Sequence, residues 1–133
     1  MINLNFTISE LIKSDAAAKN NINNMPDLKS LDNLLNLIFY VLQPLRDKVQ
    51  RPIIISSGYR CEKVNRLVGG KSNSQHLIGR AADFKIQGMT IQAAIDFIKR
   101  SGIEFDQLIN EYDRWVHISF SKGNNRKQIL KIS

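Results

Sequence analysis

Between Leu28 and Val49 the apolar residues Leu28, Leu31, Leu34, Leu35, Ile38, Leu42, Leu45 and Val49 recur at helical spacing. That pattern describes one long amphipathic helix whose apolar stripe has to be covered by a second layer. Pro44 falls inside the stripe and lacks a backbone donor, so the pattern predicts either a kink or a break into two helical pieces there. The covering layer is offered by short β-branched runs. Pro52 to Ser56 reads as a short buried strand with Pro52 at its first position, and Arg80 to Ile86 reads as a second strand, carrying Asp83. Phe105 to Tyr112 and Trp115 to Phe120 form a hairpin around Asp113-Arg114, and Lys127 to Ile132 adds an edge strand blunted by its lysines. The class is α+β: a small, mostly antiparallel sheet flanked by helices.

Local signals mark the remaining elements. Thr7-Ile8-Ser9-Glu10 has the spacing of a capping box, and Ser14-Asp15 either interrupts that helix or caps a second turn. Asn20 to Asp27 is loop, Glu62 to Val68 is a short helix closed by Gly69-Gly70, and Lys71 to Ser74 is loop again. Thr90 caps a helix that runs to about Ser101 and stops at Gly102, with Ile91, Ala94, Ile95 and Ile98 as its core face.

At 133 residues the chain is expected to be one domain, 1–133, large enough to bury a core without disulfides. Its one cysteine, Cys61, can form no internal disulfide and has no adjacent base to make it a nucleophile. The stretch Met1 to Phe6 lacks the basic and apolar regions of a signal peptide, and no apolar run approaches a membrane span. Synthesis in the cytoplasm is therefore expected. Nineteen Lys and Arg against twelve Asp and Glu give a net charge of +7, which favours an anionic partner: nucleic acid, a membrane surface or a wall polymer. The basic residues are scattered and not interleaved with aromatics, so a nucleic-acid partner is not expected.

Chemistry concentrates in two places. Of only two histidines, His76 lies seven residues before Asp83, with Gly79 between them, so that a loop can run straight into a strand. His117 sits in Trp115-Val116-His117-Ile118, where strand alternation points its imidazole away from the face of Val116 and Ile118. Two imidazoles and one carboxylate suit Zn²⁺ and leave a fourth position open, as hydrolytic zinc requires. His76, Asp83 and His117 are thus expected to bind one catalytic zinc ion.

The surrounding blocks carry a resemblance. Ser56-Ser57-Gly58-Tyr59-Arg60, Asn65, Val68-Gly69-Gly70, Ser74 to Asp83 and Trp115 to Ser119 are similar to the zinc D-alanyl-D-alanine carboxypeptidase family, which includes L-alanyl-D-glutamate endopeptidases of bacteriophage lysins. Phe6 to Glu10, Ser14, Asn24-Met25-Pro26 and Leu42 to Arg46 extend the similarity over nearly the whole chain. It implies a hedgehog-type peptidase fold with the metal over one face of the sheet, and His76, Asp83 and His117 as the ligands. It also implies that Arg60 contacts a substrate carboxylate or the developing oxyanion, that the substrate is a peptidoglycan stem peptide, and that the setting is a phage lysin or a wall-remodelling enzyme. Ser74 and Gln75 can hydrogen-bond the peptide or simply close the turn; Tyr59 and Trp115 either line the cleft or pack in the core.

The general base is where the chain departs from the family pattern. Relatives commonly carry an acidic residue three positions before the last histidine, where this chain has Arg114. The candidates are Glu111 and, as runner-up, Asp113. A two-residue turn would pair Glu111 with Val116 and turn it from His117; a three-residue turn would pair it with Trp115, on the face of His117. The second register is expected. A zinc-stabilised, non-catalytic peptidoglycan-binding module is the alternative that Arg114 keeps open.

Overall fold

The computed structural model describes residues 4–133; Met1 to Asn3, the start of the stretch read for a signal peptide, lie outside it. Its helices are α1 (Ile8–Ile12), α2 (Asp15–Lys19), α3 (Leu28–Leu37), α4 (Gln43–Val49), α5 (Glu62–Leu67) and α6 (Ile91–Ser101). Its strands are β1 (Ile53–Ser57), β2 (Ala81–Ile86), β3 (Gln107–Glu111), β4 (Trp115–Ser119) and β5 (Gln128–Ile132). They form one sheet in the order β1-β2-β4-β3-β5. Neighbours are antiparallel except β3 and β5, which run parallel, so the sheet is mixed and the architecture α+β. No helix among the described residues is long and apolar enough to cross a membrane.

The caps form where the side chains dictate. Thr7, Ser14, Asp27 and Thr90 each accept a hydrogen bond from a first-turn N–H, and Gly102 ends α6 at φ 82°. Ser14 therefore starts a second helix and does not merely interrupt the first. The chain stays helical through Pro44 but is divided into two α-helical pieces. Residues Ile38–Leu42 form a π turn that carries α3 directly into α4, with the N–H of Gln43 donating to the carbonyl of Ile38. Widening the turn just before the proline relieves its clash with the preceding turn, and Pro44 then sits in the first turn of α4, where its missing donor costs least.

The apolar layer is built from α3, the π turn, α4 and α6 against one face of the sheet. Leu34, Leu37, Ile38, Val41, Leu42 and Leu45 meet Ile95 and Ile98 of α6 and Phe84, Leu108, Val116 and Ile118 of the strands. Each such side chain contributes about 1.5–3 kcal/mol on leaving water. Leu28 and Leu35 are exposed and do not belong to this stripe, while Leu37 and Val41 do. The reason is angular: Leu35 lies about 100° around the helix from Leu34, which already faces the sheet.

Two expectations are corrected, one about a strand and one about the loop before β2. β1 is an edge strand, with Ile53 buried and Ile54 exposed, rather than a buried one; it pairs only with β2 and alternates accordingly. The stretch between Ser74 and Asp83 is not a plain loop: Gln75–Ile78 form a 3₁₀ turn, ended by Gly79 at φ 75°. A Cβ at Gly79 would collide with the carbonyl oxygen of Ser30. Only glycine satisfies both the conformation and the close approach.

Candidate metal centre

The face of the sheet opposite the α3, α4 and α6 layer carries the site. On β2, Ala82, Phe84 and Ile86 point into the core, which leaves Asp83 on the opposite face. Asp83 pairs directly with His117 across β2 and β4, so the two side chains share that face. β1 reaches it through a bulge. Its register shifts between Ile55, opposite Phe84, and Ser57, opposite Asp83, and the extra residue moves Ser57 onto the face of Asp83. His76 comes from the 3₁₀ turn, whose cap Ser74 accepts a hydrogen bond from the His76 N–H.

His76, Asp83 and His117 are all buried, and one ligand atom from each lies within 4.8 Å of the others. His76 Nδ1 is 2.6 Å from the carbonyl oxygen of Gly58, which can only accept, so Nδ1 carries the proton and Nε2 is left free. Nε2 faces Asp83 Oδ1 at 3.2 Å, and His117 Nδ1 faces the same oxygen at 2.9 Å. With the Nδ1 proton committed to Gly58, the Nε2 lone pair of a neutral His76 faces the carboxylate, a contact that a cation between them would relieve. Ligand atoms about 2.0–2.2 Å from a tetrahedral zinc stand roughly 3.3–3.6 Å apart, a few tenths of an ångström more than the 3.2 and 2.9 Å that separate Asp83 Oδ1 from the two imidazole nitrogens. The donor set fits zinc.

Burial pushes the Asp83 carboxyl up, but the hydrogen bond from His117, and a bond and charge from His76 when that ring is protonated, outweigh it and hold the group well below the usual carboxylate range. Asp83 is therefore an anion whenever the histidines are near it.

Glu111 ends β3 opposite Trp115, in the three-residue-turn register, and so shares the face of His117. Its Oε1 lies 3.7 Å from His117 Nδ1. Asp113 is held elsewhere: its carboxylate accepts from Asn110 Nδ2 and its N–H donates to Asn110 Oδ1, with Asn110 on the core side of the strand. Tyr112 and Asp113 both adopt positive φ, 59° and 56°. Arg114 is exposed.

Arg60 stands at the edge of the centre and is committed there. Its Nη2 donates to Asp83 Oδ2 at 3.3 Å, its Nε to Ser57 Oγ and its Nη1 to Asn65 Oδ1. Gln75 does not point to open space; its amide donates to Asp106 Oδ2 at 2.8 Å. Tyr59 is buried in the core cluster, where burial raises its pKa, and it borders a cleft of about 460 Å³ with Asn65, Gly70 and Leu77. Trp115 is half-buried, edge-on to Tyr112, and its indole N–H is buried without a partner.

Three supports take no role from the sequence, although Asn24 and Asn65 fall in blocks that carry the resemblance. Asp106 accepts from Arg126 Nε and Nη2 and from Gln75, tying the His76 turn to the start of β5. Asn24 holds the Tyr59 carbonyl and the Cys61 N–H, and Asn65 holds Arg60. Single polar residues in loops and short helices have no periodicity to betray them.

Two imidazoles and a carboxylate gathered on one face of a small sheet could hold a metal ion and suit zinc, with a further carboxylate beside them. Residues 4–119 match the family model of Peptidase M15, and the chain belongs to that family of zinc-dependent peptidases. A search of curated proteins returned no match.

Proposed function

We propose that the protein hydrolyses peptide bonds in peptidoglycan stem peptides, as a D-Ala-D-Ala carboxypeptidase or an L-Ala-D-Glu endopeptidase, with residues 1–133 acting as one domain of the hedgehog-type peptidase fold. The observation that carries the reading is the place of Glu111: on the face of His117, with Oε1 3.7 Å from His117 Nδ1. A zinc-stabilised binding module has no need of a carboxylate there.

His76 Nε2, Asp83 Oδ1 and His117 Nδ1 hold the metal in this reading. Zinc, when bound, supplies Lewis-acid chemistry, polarising a carbonyl oxygen and making water acidic enough to attack near neutral pH. Glu111 takes the proton of the attacking water on a carboxylate oxygen and returns it to the leaving amine. Arg60, anchored on Asp83, sets a permanent positive charge beside the reacting carbonyl or a substrate carboxylate. The net charge of +7 favours approach to an anionic wall, and action as a phage lysin or in wall remodelling follows from the same chemistry.

The test is to incubate purified protein with peptidoglycan and titrate new amino termini. Release that stops on chelation supports the reading, and the fragment masses from a defined muropeptide distinguish the two bonds. Zinc-loaded protein that releases nothing from walls of several chemistries would favour the binding module.

A further inference from the structure

Asn65 lies on α5 and is 2 % exposed. A buried helical position ordinarily takes an apolar residue, and asparagine is a poor helix former. Here both ends of the amide are used. Arg60 only donates, so the atom facing its Nη1 at 3.2 Å is the Asn65 oxygen; the Lys71 carbonyl only accepts, so the atom 2.9 Å from it is the Asn65 nitrogen. The chain returns against this amide at Gly70, whose N–H donates to the Asn65 carbonyl. A Cβ at Gly70 would collide with Asn65 Oδ1 and stand 3.0 Å from Arg60 Nη1.

We propose that Asn65 is a positioning residue of the metal centre, acting through Arg60 on Asp83. With Nη1 fixed by Asn65 and Nε by Ser57, the guanidinium has one orientation, and its Nη2 occupies Asp83 Oδ2. That leaves Oδ1 as the single oxygen facing both imidazoles. The carboxylate is thereby held to one-oxygen ligation, and the remaining approach to the metal stays open for substrate. Partners that orient metal ligands in this way are typically worth about 10–100-fold in metal affinity. The inference rests on the zinc reading of the site.

Zinc affinity is measured by competition with a chromophoric chelator in the wild type, Asn65→Leu, Asn65→Asp and Gly70→Ala. The melting temperature of each metal-free protein and the visible spectrum of each cobalt-substituted one are recorded alongside. Asn65→Leu removes the acceptor for Arg60, and Gly70→Ala displaces it without changing its chemistry; both should weaken zinc about tenfold or more and alter the cobalt bands. Asn65→Asp loses the bond to Lys71 but keeps an oxygen for Arg60, and should stay within about threefold of wild type with an unchanged spectrum. Asn65→Leu with wild-type zinc affinity and a lowered metal-free melting temperature would make Asn65 merely structural and overturn the proposal. So would an Asn65→Asp protein as weak as Asn65→Leu. If Asn65→Leu does not fold, Gly70→Ala decides alone, and wild-type affinity there overturns the proposal. A wild-type protein that binds no zinc would instead sink the metal reading itself.

Discussion

Asp106→Asn isolates a support that never touches the metal. The Asp106 carboxylate is buried at 5 % exposure and accepts from Arg126 Nε at 2.8 Å, Arg126 Nη2 at 3.0 Å and Gln75 Nε2 at 2.8 Å. The Arg126 hydrogen bonds, chiefly, bring its pKa down from 3.8 to about 2. At about 1.4 kcal/mol per unit, the depression corresponds to at most about 2.5 kcal/mol of stability. Arg126 is 59 % exposed, so solvent screening discounts this to about 1 kcal/mol. For a chain of this length the variant should melt roughly 3–5 °C below the wild type at neutral pH.

The pH dependence gives the sharper test. A carboxylate whose folded pKa is depressed stabilises the fold fully above its unfolded pKa, about 3.9, and loses that contribution as pH falls through its folded value. The gap in melting temperature between wild type and Asp106→Asn should hold from neutral pH to about pH 5 and close towards pH 2. Chelator-treated protein is used for both, so that acid release of metal and titration of Asp83 cancel between them. No gap at neutral pH, or a gap that stays constant down to pH 2, would refute the assignment of the stabilisation to an ionised Asp106.

Metal analysis should find one zinc per chain, and chelation should lower the melting temperature, since a ligand bound only by the folded state stabilises it; a His117→Ala protein with full zinc occupancy would dismantle the centre. Glu111→Gln should cut turnover about 10²–10⁴-fold with zinc still bound. Asp113→Asn, which keeps an oxygen to accept from Asn110 Nδ2 and removes only the charge, should leave turnover near wild type, and loss of activity in that variant alone would transfer the role of base. Gly79→Ala should destabilise by about 2 kcal/mol or more in urea unfolding, because φ of 75° and the Ser30 carbonyl both oppose a side chain there; an unchanged midpoint would show that the turn relaxes freely.

The sequence makes these elements legible to different depths, and the difference follows the range of the interaction. Thr7, Thr90 and Gly102 act on backbone groups within a few residues, so those helix ends could be read directly, while Ser14 reads equally as a break or a cap and only the hydrogen bond it accepts from the Ala17 N–H decides. The edge status of β1 depends on what pairs beside it, and an isoleucine run reads the same at an edge or in the middle. The commitment of Arg60 to Asp83 and of Gln75 to Asp106 spans 23 and 31 residues, beyond any spacing rule. The hairpin shows the limit most sharply. Both registers bury Val116 and Ile118, so apolar alternation on β4 cannot choose between them. The choice is visible in the turn, where the Asn110 amide exchanges hydrogen bonds with Asp113 and reaches Gln92 of α6, while Tyr112 and Asp113 take left-handed conformations. A slip of one residue would send Glu111 to the core side of the sheet. The carboxylate beside the proposed metal ligands is thus placed by a polar side chain on the opposite face, and its rival for the role of base, Asp113, helps to hold it there.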